Sequence, residues 1–143
     1  MKRPLLMGAL LCVAALSASA AFADSSVGCS LATLRGTYSW GGVSIKNFVW
    51  SGSSGMESYD GLGHMKYYEL QSDGVTQSTY SGTGTYTITD NCIATVIYDG
   101  DVTDKWTYFV APDGAVFYYN NNLGFGRVSG GQENRISWAL LVH

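Results

Sequence analysis

Clusters of basic residues are missing from this sequence. Its 143 residues include eight Lys and Arg against eleven Asp and Glu, and its formal net charge is −3. Proteins that bind nucleic acid gather Lys and Arg on one face, where these residues neutralise phosphates. The scattered charges and the negative balance therefore argue against nucleic acid as a partner.

The short motifs of nucleophilic and metal-dependent catalysis are also absent. The sequence has three Cys and two His, without a Cys-x-x-Cys pair, a Cys/His cluster or a Gly-x-Ser-x-Gly turn. Zinc sites and activated serines need these arrangements to bring their groups together. We therefore predict no catalytic residue, no metal site and no cofactor from the motifs.

A long apolar run is lacking as well, and the short one at the start indicates a secretory signal peptide. Lys2 and Arg3 precede an apolar stretch over residues 5–16, which is too short to span a bilayer, and residues 21–23 read Ala-Phe-Ala. We predict a signal peptide over residues 1–23, with cleavage after Ala20 as the alternative, and a single domain over residues 24–143. The mature protein is then exported, to the periplasm or beyond the cell, without a membrane span.

The cysteine count changes with processing. Cys12 lies in the predicted signal peptide, so the mature chain retains Cys29 and Cys92. An even pair of cysteines in an oxidising compartment is usually joined. We predict a Cys29–Cys92 disulfide.

The clearest structural pattern covers residues 80–98. Apolar or small residues alternate with hydroxyl residues, as in a strand that is buried on one face. The first set is Tyr80, Gly82, Gly84, Tyr86 and Ile88, and the second is Ser81, Thr83, Thr85, Thr87 and Thr89. Asp90 and Asn91 follow as a turn, and a β-branched run continues to residue 97. The pattern predicts a β-hairpin.

Similar short segments fill the rest of the chain. We predict strands at residues 36–40, 43–50, 64–71, 75–82, 103–111 and 115–120, a last pair at 125–129 and 136–142, a loop at 51–55, and a helical turn at 31–34. The segment at 75–82 continues into the first strand of the hairpin, so the chain has eight or nine strands, which meet at Gly-rich or Asp-Gly turns. Closing such a meander removes its exposed edges, so we predict an all-β, antiparallel up-and-down barrel of about eight strands. A two-sheet β-sandwich is the alternative.

Several of these segments also carry a resemblance. Cys29 is followed by Leu-x-Gly-Thr-Tyr at 34–38, by Tyr-Asp-Gly-x-Gly at 59–63, and by Gly-Thr-Tyr-Thr-Ile and a Cys within 84–92. A Phe/Val strand before a Gly turn follows at 109–114. This order resembles a group of exported bacterial small β-barrel proteins of unassigned function, similar in outline to lipocalin-like and allene-oxide-cyclase-like barrels. The resemblance implies the barrel and the two-cysteine pattern, and it transfers no catalytic residue.

Aromatic residues are abundant, at 19 in the whole chain. Small barrels either fill their interior with side chains or enclose one small ligand. We predict that the protein binds a small apolar or aromatic molecule in the barrel mouth. The predicted contacts are the aromatic residues that share parity with the apolar faces of their strands, namely Tyr38, Trp40, Tyr86, Trp106 and Tyr108.

Two other functions remain open at this point. An isomerase or cyclase could fold a reactive apolar substrate in the barrel, with Glu57, His64 or Arg35 facing the cavity. A non-catalytic envelope or surface protein would instead have a filled barrel and an exposed aromatic patch. We favour a protein that is not an enzyme, and we interpret His64 as an exposed residue beside a turn. Asp99, Asp101 and Asp104 are interpreted as a solvated turn, because a calcium loop needs further ligands.

Overall fold

A computed structural model of the chain describes residues 28–46, 48–100, 105–121 and 127–141. The predicted signal peptide at residues 1–23, together with Cys12, lies outside the described residues. Asp101, Asp104 and residues 125–126 also lie outside the described residues.

Eight antiparallel strands close into one barrel, which confirms the predicted fold class. Each strand pairs with the next in sequence, and the last pairs with the first. The strands are β1 Gly36–Lys46, β2 Val49–Tyr59, β3 His64–Ser72, β4 Gln77–Ile88, β5 Ile93–Tyr98, β6 Lys105–Val110, β7 Val116–Asn121 and β8 Arg127–Ser137. A single 3₁₀ turn, Leu31–Leu34, precedes β1 at the predicted helical position.

The alternation in β4 is confirmed as an inner and an outer face. Gly84 and Tyr86 are buried, whereas Thr83, Thr85 and Thr87 are exposed. Burial of every second side chain is what the two-residue period of a strand requires. The predicted hairpin between β4 and β5 is also present, with the Thr89 N–H donating to the Ile93 carbonyl oxygen at 2.9 Å.

The first hairpin corrects a prediction. Residues 51–55, predicted as a loop, lie inside β2, and β1 continues through Gly41 and Gly42, which separate the predicted strands at 36–40 and 43–50. Gly55 in this stretch provides space for a side chain and does not form a turn. It lies opposite Trp40. A Cβ added at Gly55 would lie 3.0 Å from the Trp40 Nε1 and 2.4 Å from the Tyr68 carbonyl oxygen.

The structure near the end of the chain corrects a second prediction. Instead of two strands at 125–129 and 136–142, one strand runs through Arg127–Ser137, and residues 138–141 are not in a strand. Its polar middle suggested a break in the sequence. In the barrel that middle places Glu133 opposite Trp40 of β1 and Phe117 of β7, so a polar residue faces inward.

One end of the barrel, here called the closed end, is covered by the chain that precedes β1. Leu34 of the 3₁₀ turn is fully buried, and the Tyr86 hydroxyl donates to the Leu31 carbonyl oxygen at 2.9 Å. Cys29 and Cys92 form the disulfide there, with their Cα atoms 4.9 Å apart. The opposite end, where β1 ends and β2 begins, is called the mouth.

Arg135 completes the closed end. Its Nη2 donates to the Tyr38 hydroxyl and to the Thr33 carbonyl oxygen, both at 2.8 Å. Its guanidinium lies 3.8 Å from the centroid of the Trp138 ring, which is a cation–π distance. Arg135 therefore ties β8 to the 3₁₀ turn and to β1.

Candidate functional site

The barrel interior is packed at the closed end and hollow toward the mouth. Tyr38, Tyr59, Tyr108 and Phe117 form the packed part, where the rings of Tyr108 and Phe117 stack with centroids 4.5 Å apart. Above them lies a cavity of about 370 Å³. Side chains from all eight strands and from the chain after β5 line it: Trp40, Ser44, Ser53, Glu57, Tyr67, Glu69, Gln71, Tyr80, Tyr98, Asp99, Gly100, Trp106, Tyr108, Tyr119, Ser129 and Glu133.

The cavity reaches solvent at the mouth. Tyr80, Asp99 and Gly100 line it and are exposed. Trp106 and Tyr119, deeper in the barrel, are 8% and 7% exposed. A small molecule can therefore enter from the mouth and reach buried aromatic side chains.

Edge-to-face contacts hold the aromatic wall in place. The Tyr119 ring meets Trp40 with centroids 6.2 Å apart and an angle of 79°, and it meets Trp106 at 5.5 Å and 63°. Across the barrel, the Tyr67 and Tyr98 rings meet at 4.9 Å and 78°. These are favoured arrangements for aromatic pairs, so the wall is preorganised.

Glycines opposite the rings leave the space that the rings occupy. An added Cβ at Gly82 would lie 2.9 Å from the Tyr67 ring, and one at Gly131 would lie 2.4 Å from the Tyr119 hydroxyl oxygen. Each glycine pairs with the residue whose ring covers it. The rings therefore lie close to the barrel wall at these positions, and space remains at the centre.

Glu57 is a buried carboxylate held by three hydroxyls. It is 1% exposed, and it accepts hydrogen bonds from Tyr59, Tyr98 and Tyr108, the last at 3.1 Å. Burial raises the pKa of the Glu57 carboxyl, while the three hydrogen bonds act in the opposite direction. Burial and the charge of Glu57 also raise the pKa of Tyr98 and Tyr108, which therefore stay protonated as donors.

Glu133 is the second buried carboxyl, and it is less well satisfied. It is 2% exposed, and its Oε2 has no hydrogen-bond partner among the residues that the structure describes. Burial, followed by the charge of Glu57, raises the pKa of Glu133 well above its ordinary value. Because three hydroxyls support Glu57 as the charged member, Glu133 holds its proton to higher pH than Glu57 does.

Two further carboxyls make the cavity acidic. Glu69 accepts a hydrogen bond from the Gln71 amide at 2.8 Å, and Asp99 accepts one from the Thr83 hydroxyl at 2.5 Å. No described residue that lines the cavity is basic. Within the part of the chain that the structure describes, no three Asp, Glu, His or Cys residues are placed to hold a metal ion.

The five predicted ligand contacts fall into two groups. Trp40, Trp106 and Tyr108 line the cavity. Tyr38 and Tyr86 face inward as well, but they lie in the packed closed end, where the Tyr38 hydroxyl donates to the Gly114 carbonyl oxygen at 2.6 Å. Parity along a strand identifies the inner face, whereas depth in the barrel depends on the pairing of strands that are distant in sequence.

The three residues considered for an enzyme function lie in different parts of the barrel. Glu57 lines the cavity, whereas His64 and Arg35 are exposed and do not. The His64 Nδ1 lies 3.0 Å from the Asp60 Oδ2, across the turn that joins β2 to β3. His64 thus takes part in that turn, outside the candidate site.

Sequence reasoning missed Glu133, Tyr98 and Tyr119. Tyr98 could have been found, because it continues the β5 alternation begun by the buried Ala94 and Val96. Glu133 had no such signal, since its neighbours are polar or glycine. Its inward position follows only from the pairing of β8 with β1 and β7.

Comparison of the chain with protein-family models, curated proteins and solved structures finds no match. None of the helices among the described residues has the length and apolar character needed to cross a membrane.

Proposed function

We propose that this barrel binds a small apolar or aromatic molecule in its cavity. The observation that carries the proposal is the cavity of about 370 Å³, walled by rings and reached from the mouth. Ligand sites are typically concave, about 300–1,000 Å³, with aromatic walls and a few convergent polar groups. Trp40, Trp106 and Tyr108 are the proposed aromatic contacts, and Glu57 and Glu133 the polar ones.

The cavity favours this proposal over a surface protein without a pocket, which needs a filled barrel. The preorganised rings support it further, because a ligand that enters an ordered wall loses less free energy to side-chain ordering. Apolar area removed from water would supply most of the affinity.

Native mass spectrometry of the protein purified from its exporting host tests the proposal. We expect a noncovalent mass that is lost on denaturation. The variant Ser53→Trp fills the cavity, since Ser53 lines it, and should lose that mass. Ser54→Trp places the same side chain on the exposed face of β2 and should retain it. A bare protein in all three samples, with no thermal shift across a panel of apolar ligands, would contradict the proposal.

An isomerase or cyclase is the second candidate, and the burial of Glu57 in the cavity favours it. A carboxyl whose pKa is raised is a stronger base than an ordinary carboxylate, so it can take a proton from a substrate and return it. In deuterated water, the protein should then accelerate deuterium exchange at the α-carbon of a small ketone such as 2-indanone, and Glu57→Gln should abolish the acceleration. Exchange at the buffer rate with the unaltered protein would exclude this acid–base role.

We also propose that the protein is exported after removal of residues 1–23. The disulfide supports export, because disulfides persist in oxidising compartments. Intact-mass analysis of the exported protein should give a chain that begins at Asp24. A chain that retains residues 1–23 would contradict the proposed signal peptide.

A further inference from the structure

The cavity contains an acceptor that no part of the described chain satisfies. Glu133 lines the cavity, and its buried Oε2 has no hydrogen-bond partner among the described residues. A purely apolar ligand would leave this oxygen unpaired, which costs free energy. A ligand that donates a hydrogen bond to Glu133 avoids that cost.

The charged residues around the cavity indicate which kind of hydrogen-bond donor the ligand carries. Glu57, Glu69 and Asp99 line the same space, and none of the described lining residues is Lys or Arg. An anionic ligand would meet carboxyls on several sides, whereas a cation would be attracted to them. The cavity therefore disfavours acids and favours a positively charged donor.

The aromatic wall favours the same charge. Tyr119 lies edge-to-face with both Trp40 and Trp106, so the three rings do not share one plane. Two indoles line the cavity, and Trp gives the strongest cation–π contacts of the aromatic side chains. Carboxyls and indoles at one site are therefore complementary to an ammonium group on an apolar body.

We propose that the ligand is an organic amine that binds as its cation, with the ammonium group at Glu133 and the apolar body between the rings of Trp40, Trp106 and Tyr119. This inference rests on the proposed function and adds the charge and the donor group of the ligand. Glu57 has its own hydroxyl donors and contributes negative charge, whereas Glu133 gives up its proton when the cation binds and contributes a charged acceptor, which Gln cannot replace.

Calorimetric titration with matched probes tests the proposal. The probes are octylamine, 2-phenylethylamine and tryptamine at neutral pH, each compared with the alcohol and the carboxylate of the same skeleton. We expect at least one amine to bind at least tenfold more tightly than its alcohol, and the carboxylates not to bind. Glu133→Gln should weaken that amine at least tenfold and change the alcohol less than twofold.

Asp90→Asn is the control, because it removes the same charge from an exposed residue at the closed end. It should leave the affinity for the amine unchanged. Alcohols that bind as tightly as their amines would overturn the amine proposal and leave the proposed function intact. Unchanged amine binding in Glu133→Gln would overturn the role of Glu133. If neither amines nor alcohols bind, both the inference and the proposed function fail.

Discussion

At the scale of single residues, the interior of this barrel is unusual because two carboxyls are buried among aromatic rings. Glu57 and Glu133 are 1% and 2% exposed. Glu57 is stabilised by three tyrosine hydroxyls, whereas one oxygen of Glu133 has no hydrogen-bond partner in the described part of the chain. Burial of an incompletely paired polar group lowers stability, so Glu133 is more readily explained by binding than by folding.

The first prediction concerns Glu133 and pH. Its folded-state pKa is raised above the unfolded value, so the folded protein binds more protons between those two values. The free energy of unfolding therefore falls as pH rises through that window. Each unit by which the pKa of Glu133 is raised lowers the free energy of unfolding by about 1.4 kcal/mol once the pH has passed through the window. Glu133→Gln removes this loss of stability. The variant should be more stable than the unaltered protein at pH 7 and similar to it at pH 4.

Urea unfolding at a series of pH values measures this difference. Asp90→Asn, which removes an exposed carboxylate, should show no comparable gain at pH 7. A Glu133→Gln variant whose advantage over the unaltered protein is the same at pH 4 and pH 7 would show that Glu133 does not titrate at a raised pKa.

At the scale of strands, predictability from the sequence follows the side-chain pattern. The β4–β5 hairpin was predictable because hydroxyls and apolar residues alternate without interruption from Tyr80 to Thr89. β2 and β8 were predicted with breaks, because Gly and Ser in β2 and a polar run in β8 resemble loops. In the barrel these residues are strand, since the small ones make room for rings such as that of Trp40.

The second prediction tests that explanation in β2. Gly55→Ala would place a methyl group against the Trp40 indole and the Tyr68 carbonyl oxygen, and overpacking of this kind costs about 1–3 kcal/mol. Gly52→Ala, in the same strand, has no atom within 4 Å of the added carbon and is the matched control. Thermal unfolding should show a clear loss for Gly55→Ala and a change within about 0.5 kcal/mol for Gly52→Ala. Equal effects of the two changes would contradict the role assigned to Gly55.

At the scale of the whole molecule, closure of the sheet determines the site. The number of strands, their order and the inward parity of Trp40, Trp106 and Tyr108 could be predicted from local patterns. The cavity could not, because its depth and the convergence of Glu57 with Glu133 depend on the pairing of β8 with β1, across most of the chain. Local sequence contains no direct signal for such a distant register.

The third prediction concerns the closed end, where the disulfide joins residues 63 positions apart. Cross-links over long loops restrict the unfolded chain, and removing one typically costs about 2–4 kcal/mol. The double variant Cys29→Ala, Cys92→Ala should lose stability in that range. Because the cavity lies toward the mouth, its ligand affinity should be retained at temperatures where the variant stays folded. Equal stability of the unaltered protein with and without reductant would contradict a structural disulfide.

The central claim is that Glu57 and Glu133 are buried together in an aromatic cavity, and carboxyl ¹³C NMR measures their titration directly. With glutamate labelled at the side-chain carboxyl, we predict one resonance that titrates well above the ordinary range and is absent from Glu133→Gln. We also predict that Glu133 titrates at lower pH in Glu57→Gln than in the unaltered protein, because the charge of Glu57 contributes to the raised pKa of Glu133. Glutamate resonances that all titrate near the ordinary value, unaffected by Glu133→Gln, would contradict the account.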